Sequence, residues 1–362
     1  MNPYGPLERR VAALNEAGLA RRLRALDMTS ATTGMLEGRS VTVFCSNDYL
    51  GLATHPEVQS AYRGAGAGAA RLISGNRPAH EALEAALSER FGRPATLMSS
   101  GYHANLALYT TVLEPGDVVA SDALNHASII DGLRLSRAER VVVPHDDPGA
   151  IPSHARMAVV EGVYSMDGDS PDLAAIQAPG RWLAVDEAHA FGVVGPDGCG
   201  AAAAQGVRPD FIVGTLGKAI GVYGAFVIGP PVLRELLLSE GRSFIFTTGL
   251  PEPVAAAALV ALGLADDARR EKLAVNVQRL RSGLAQLGLG SAEGSHIVPV
   301  VLGSRTMTLA EALLDRGYWV AGIRPPTVPH GTERLRITVS AAHTPAQIDG
   351  LLDALDQEAA RG

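Results

Sequence analysis

Cysteine is nearly absent from this chain. Cys45 and Cys199 are the two in 362 residues, and neither sits in a CxxC pair or at a metal-ligand spacing. Both read as small apolar fillers, which argues against a disulfide framework and suits a reducing compartment. Long apolar runs are also missing. The most apolar stretch, residues 254–265, is too short to span a bilayer and is bounded by Glu252 and Asp266, so a buried helix is expected there. The first residues carry Glu8, Arg9 and Arg10, with no apolar core and no small-residue cleavage site, so no secretory signal is read. Positive charge is not in excess: 31 Lys and Arg stand against 38 Asp and Glu, giving −7. Without a basic run, neither nucleic acid nor an anionic membrane finds an electrostatic footing. The expected setting is the cytoplasm.

What is present is a hydrophobic share of 47% and 40 glycines, in a length that suits about two domains with a large buried interior. Such a composition is that of a folded protein rather than a disordered one. Residues 7–26 carry apolar positions at helical spacing, and residues 41–45 read as a short strand. Short β-rich runs then alternate with helical segments, at residues 118–121, 141–143, 157–160, 182–185 and 211–213. This alternation predicts an α/β fold with a mainly parallel sheet covered by helices on both faces. After a helical region at 251–287, strands at 296–302 and 334–340 flank a helix at 309–315, predicting a smaller α+β C-terminal domain. The expected division is an N-terminal arm and strand at 1–45, a large domain at 46–270 and a small one at 271–362.

In open α/β sheets ligands gather beyond the carboxyl ends of the strands. Asp122, Glu161, Asp186 and Thr215 fall at such ends. The most informative segment is Gly214-Thr215-Leu216-Gly217-Lys218-Ala219-Ile220-Gly221. A Walker loop would need glycine at 212 and Ser or Thr at 219, where the chain has Ile212 and Ala219. A lysine used covalently instead needs burial, which lowers its pKa and leaves a nucleophilic amine for Schiff-base chemistry.

In Asp186-Glu187-Ala188-His189 an acid closes a hydrophobic strand and a histidine follows three residues on. A helicase-type ATPase sharing these letters needs a Walker loop and a basic surface, and both are missing. No further ligands make the pair a metal site. The remaining reading is an Asp that holds a cationic ring nitrogen and a His that donates to a ring oxygen. His126 opens a helix after the strand at 118–121, where a capping role is the ordinary expectation. Its value rises because Lys218, Asp186 and His126 share one predicted sheet edge. Ser100-Gly101-Tyr102 precedes another helix, whose free amides and positive dipole end suit a phosphate, with Thr215, Thr247 and Thr248 as further hydroxyl donors.

The loose GxGxxA pattern of residues 64–70 follows an amphipathic stretch rather than a strand, which disfavours dinucleotide binding there. Near the C-terminus, period two puts Arg334 and Arg336 on one face of a strand. One of them is positioned to grip a carboxylate, against the alternative of a solvated arginine face on an edge strand.

Taken in order, Ser46-Asn47-Asp48-Tyr49-Leu50-Gly51-Leu52, Asn125-His126-Ala127-Ser128, Glu161-Gly162-Val163-Tyr164-Ser165-Met166-Asp167-Gly168, Asp186-Glu187-Ala188-His189 and Thr215-Leu216-Gly217-Lys218 resemble the α-oxoamine synthases. These are pyridoxal-phosphate enzymes of fold type I that condense an amino acid with an acyl thioester. The resemblance implies a pyridoxal 5'-phosphate cofactor bonded to Lys218, with Asp186 at its ring nitrogen, His189 at its ring hydroxyl and His126 stacked on its face. It implies Gly101, Tyr102, Thr215, Thr247 and Thr248 at the phosphate end, the last two reaching the neighbouring subunit's cofactor in a homodimer. Arg336 would bind the amino-acid carboxylate, with Asn47 and Ser165 near the substrate and Arg21 and Thr327 as further substrate contacts.

Within the family, Arg324-Pro325-Pro326-Thr327-Val328-Pro329 is most similar to the members that join L-alanine to a pimeloyl thioester, carried by CoA or an acyl carrier protein, in biotin synthesis. Members that use glycine, among them glycine C-acetyltransferase and 5-aminolevulinate synthase, share most of the rest. The chain departs from the family at residues 64–70, where alanine replaces serine, and at a contracted 148–154 connection. A nicotinamide-dependent oxidoreductase and a non-catalytic protein keeping the fold are the alternatives from other classes.

Overall fold

The computed structural model describes residues 2–359. Three short antiparallel strands come first: β1 (Leu26–Met28), β2 (Thr33–Leu36) and β3 (Arg39–Val43). The predicted N-terminal helix is shorter than its apolar periodicity suggests. It covers Gly5–Glu16 and buries none of its residues, ending where Gly18 takes φ +64°. The predicted strand at 41–45 lies two residues earlier, and the hairpin before it turns at Glu37 (φ +50°) and Gly38 (φ +83°). Two successive positive φ values match the twist of a two-residue hairpin, but Glu in place of Asn or Asp weakens the signal in the sequence.

The central sheet holds β4 (Ala95–Met98), β5 (Val118–Asp122), β6 (Glu139–Val143), β7 (Met157–Glu161), β8 (Trp182–Asp186), β9 (Phe211–Thr215) and β10 (Ala225–Ile228) in the order β4-β10-β9-β8-β7-β5-β6. Pairing is parallel from β6 through β9, whereas β10 runs antiparallel to both β9 and β4. Each predicted strand of this sheet is present, one or two residues longer than its apolar core. β7 is buried along its whole length, as expected for a strand with helices on both faces. Gly214 shows how tightly the sheet packs, since a Cβ there would lie 2.2 Å from the Phe226 ring.

The region read as one helical block is two helices, Glu252–Leu264 and Asp267–Gln286, the second capped by the Asp266 carboxylate accepting from Arg269 N–H at 2.9 Å. The C-terminal part adds β11 (Ile297–Val301), β12 (Tyr318–Trp319), β13 (Ala321–Ile323) and β14 (Arg334–Thr338). β14 lies between β11 and β13, so it is not an edge strand, and Arg334 and Arg336 are each 6% exposed. The solvated-arginine alternative is thereby removed. β12 pairs in parallel with β3, tying the front of the chain to its C-terminal part. The whole is a large, mainly parallel sheet with a smaller α+β unit, the architecture that the resemblance implies. Among the described residues, no helix is long and apolar enough to cross a membrane.

Candidate active site

β7 and β8 are paired in register with Glu161 opposite Asp186, so two carboxylates end neighbouring strands at one sheet edge. The connection from β9 to β10 crosses that edge. It is closed by Leu216 N–H to Gly224 O at 2.9 Å and Gly221 N–H to Lys218 O at 2.8 Å, and it carries Lys218 over the strand ends. Gly221 has φ +71°, and a Cβ would come within 2.4 Å of Ala53 N, so this glycine sets how closely the lysine loop approaches the chain after residue 52. The result is a cavity of about 200 Å³ that brings together Lys218, Asp186, His189, His126, Thr215, Gly101 and Tyr102.

Asp186 is 6% exposed and held on both oxygens, Oδ2 accepting from Asn105 Nδ2 at 2.8 Å and Oδ1 from Ala188 N–H at 2.9 Å. Asn105 also donates to Ser128 Oγ at 2.9 Å. His126 caps a helix, as ordinarily expected, and its ring also faces the cavity. At the start of Ala127–Ser136 its Nδ1 accepts from Ser128 N–H at 3.2 Å. Its own N–H donates to Glu161 Oε1 at 2.7 Å.

The electrostatics follow from burial beside charge. Desolvation lowers the Lys218 amine to about 8, against the opposing pull of Asp186 and then Glu161. Burial, then the adjacent Asp186, raise the Glu161 carboxyl to about 8, so this acid and the Lys218 amine titrate in the same range. Burial, followed by the positive charge of Lys218 and Arg336, pushes His189 well below its ordinary value and keeps its imidazole neutral.

Arg336 reaches the site from β14. It donates from Nε to Ser165 O at 2.5 Å, from Nη1 to Asn47 Oδ1 at 3.2 Å and from Nη2 to the Tyr49 hydroxyl at 3.5 Å. Asn47 and Ser165 therefore meet at the arginine, Ser165 through its carbonyl. Arg334 pairs with Asp167 on the same loop. Arg21 and Thr327 also find each other, at 3.5 Å, but they line a different cavity of about 590 Å³ between the N-terminal arm and β13. Thr247 and Thr248 line a third, small cleft with Ser99 and Arg71, separate from the Lys218 cavity of this chain.

Sequence reasoning put Glu161 at a ligand-facing strand end without giving it a role, and singled out neither Asn105, the partner of Asp186, nor Tyr49 and His296. Asn105 was detectable as a lone amide within the apolar run Ala104–Leu108. His296 gave no local signal, because only the packing of β11 brings it against the Tyr49 ring at 4.3 Å.

The donor set suits a phosphorylated pyridine aldehyde. It offers one amine, one fixed carboxylate, one neutral imidazole, and the Gly101 and Tyr102 amides at the start of a helix whose cap, Ser100, bonds only further along at His103 N–H. Among the described residues, no group of three His, Cys, Asp or Glu is placed to hold a metal ion.

Fold and site together define a transferase of the pyridoxal-phosphate type. The chain belongs to the class I and II aminotransferase family, whose pattern it matches over residues 39–355. It is 46% identical to the 8-amino-7-oxononanoate synthase of Anaeromyxobacter sp. (strain K), over 95% of this chain and 92% of that protein. Its fold is similar to serine palmitoyltransferase from S. paucimobilis, solved with a bound PLP–myriocin aldimine, with a TM-score of 0.91, 31% identity and coverage of 99% and 98%. It is also similar to the 8-amino-7-oxononanoate synthase of Francisella tularensis, with a TM-score of 0.77, 28% identity and coverage of 89% and 98%.

Proposed function

We propose that this chain is a pyridoxal-phosphate-dependent acyltransferase that condenses L-alanine with a pimeloyl thioester. The products are 8-amino-7-oxononanoate, carbon dioxide and the free thiol, and the pathway served is biotin synthesis. The observation that carries the chemistry is a lysine amine brought to about 8 beside a fixed, buried carboxylate in one cavity. The relatives' shared name carries the substrates. Serine palmitoyltransferase is the better structural match, but 31% identity against 46% favours the alanine reading.

In this reading Lys218 would hold the cofactor at its aldehyde carbon, water leaving as the bond forms, and Asp186 would keep the ring nitrogen protonated. When bound, the cofactor supplies an electron-poor ring that accepts the charge left at the substrate's α-carbon. Freed when the substrate's own amine takes its place, the Lys218 amine would be the base for the α-proton, for which a pKa near the working pH is well matched. His126 would lie against the ring face, and His189 would donate to the ring oxygen. Arg336 takes the amino-acid carboxylate as a two-pronged donor, exchanging its bonds to Asn47 and Ser165 for it. Arg21 and Thr327 lie in the arm-side cavity, where they contact the acyl donor, a thioester of CoA or an acyl carrier protein.

Residues 46–270 serve as the cofactor unit, and 271–362 as the unit that closes on substrate. The protein works as a cytoplasmic homodimer. Support for the dimer comes from Thr247 and Thr248, which lie outside this chain's cavity, and from the exposed Leu72, Ile73 and Phe246 nearby. The test offers L-alanine, glycine and L-serine with acetyl-, pimeloyl- and palmitoyl-CoA and identifies products by mass. Alanine with pimeloyl-CoA should give the leading product. Preference for glycine with acetyl-CoA, or for serine with palmitoyl-CoA, overturns the assignment.

A further inference from the structure

His189 is neutral and therefore carries its single ring proton on Nδ1 or on Nε2; which one decides what it offers the cavity. Nε2 has no partner among the described residues, and the ring lines the Lys218 cavity. Nδ1 faces away, 2.7 Å from the Tyr49 hydroxyl. Tyr49 is 0% exposed, and its hydroxyl has one proton with two acceptors in reach, His189 Nδ1 and Asn47 Oδ1 at 3.0 Å. The Arg336 guanidinium approaches both oxygens, with Nη1 3.2 Å from Asn47 Oδ1 and Nη2 3.5 Å from the tyrosine oxygen. An arginine only donates, so its bond to Asn47 already engages that carbonyl, and its approach to the tyrosine oxygen takes up a lone pair there. The shorter contact and the less engaged acceptor both lie at His189.

We propose that Tyr49 is a positioning residue for the reaction: its hydroxyl donates to His189 Nδ1 and so fixes the tautomer in which Nε2–H points a donor into the cavity, at the place the proposed function gives to the cofactor's ring oxygen. With the other tautomer, a bare Nε2 lone pair would face an electron-rich ring oxygen, and the interaction would be repulsive unless that oxygen kept its own proton. The tyrosine ring is itself wedged by His296, which is buried against it edge-on at 4.3 Å. The charged and titratable groups that act on His189 are Lys218 from the β9–β10 loop, Arg336 from β14, His296 before β11 and His126 after β5, and all of them disfavour a second proton on its ring. Tyr49 is thus left to choose the position of the one that remains. Because Arg336 bonds the same hydroxyl, the carboxylate-binding group and the ring-oxygen donor are joined through one atom.

The inference rests on the proposed function for its meaning but not for its test. The cofactor-free protein, labelled with 15N in histidine, reports the tautomer directly through the two imidazole nitrogens, with His189 assigned by loss of its signals in His189→Asn. The expected wild-type result is a bare Nδ1 and a protonated Nε2. In Tyr49→Phe, which removes only the hydroxyl, the two signals should shift toward one another as the tautomers mix. If Tyr49→Phe fails to fold, 3-fluorotyrosine at position 49 keeps the ring and strengthens the donor, and the Nδ1 signal should move further toward the protonated value. A protonated Nδ1 in the wild type, or signals that neither substitution moves, would overturn the proposal. Loss of packing alone would not move the proton between ring nitrogens. No substrate or cofactor enters the measurement, so it stands or falls apart from the condensation assay.

Discussion

The Lys218 amine is the group on which the chemistry turns, and its acidity yields a number. Burial lowers it from 10.5 to about 8, with Asp186 the foremost opposing charge and Glu161 next. At pH 7 about a tenth of the amine is free at the lowered value, against roughly one part in 3,000 at the ordinary one, a gain of about 300-fold in nucleophile. The assay is covalent attachment of pyridoxal phosphate to the cofactor-free protein, trapped by borohydride and counted by mass at Lys218 across pH 6 to 11. The attachment rate should rise with a midpoint near 8. Asp186→Asn removes the charge that most favours the ammonium form, so its midpoint should fall by about one to three units. Glu161→Gln should move it less, because burial and Asp186 keep much of that carboxyl protonated. A wild-type midpoint near 10.5, or one that rises in Asp186→Asn, would refute this account of the site.

Three other outcomes follow from the packing and the hydrogen bonds. Arg336→Lys loses the two-pronged geometry, so the KM for L-alanine should rise by roughly 10- to 100-fold, in line with about 1.5–3 kcal/mol for a charged hydrogen bond, while the cofactor's absorbance stays unchanged. Gly214→Ala puts a methyl 2.2 Å from the Phe226 ring, so denaturant titration should show a loss of about 1–3 kcal/mol. His145 bridges Asp122 at 3.0 Å and Asp169 at 2.6 Å. Burial lowers its pKa, but bonds and charge from Asp169 and Asp122 outweigh this and leave it raised. Its stabilisation is therefore complete below the unfolded-state value near 6.5 and fades as pH rises through the folded one. His145→Ala should cost about 1 kcal/mol at pH 6, discounted for the exposure of Asp169, and the gap in thermal midpoint should narrow by pH 9.

The parallel sheet was readable because strands buried on both faces are runs of apolar residues, and β7, β8 and β9 each end in a polar residue that lines the site. Asp186, Glu161 and Thr215 were located in this way. The lysine loop was readable because its glycines answer to close approach, as the contact of Gly221 with Ala53 shows. The end of the N-terminal helix was not readable. Apolar periodicity continues past Gly18, but the helix buries none of its residues among the described ones and so gains little from extension. The β1–β2–β3 meander was missed beyond its last strand because its turn is Glu-Gly rather than Asn-Gly. The polar network behind the cavity lay beyond sequence reasoning for a different reason. Tyr49, His189, His296 and Arg336 come from four separate regions, and only the fold shows that they touch.

The central claim is a decarboxylative condensation, and the most direct measurement follows the carboxyl carbon of alanine. With L-[1-14C]alanine and pimeloyl-CoA, one labelled carbon dioxide should be released for each free thiol, and the condensed product should carry no label; Lys218→Ala should release neither. Thiol release without labelled carbon dioxide, or label retained in the product, would contradict the account.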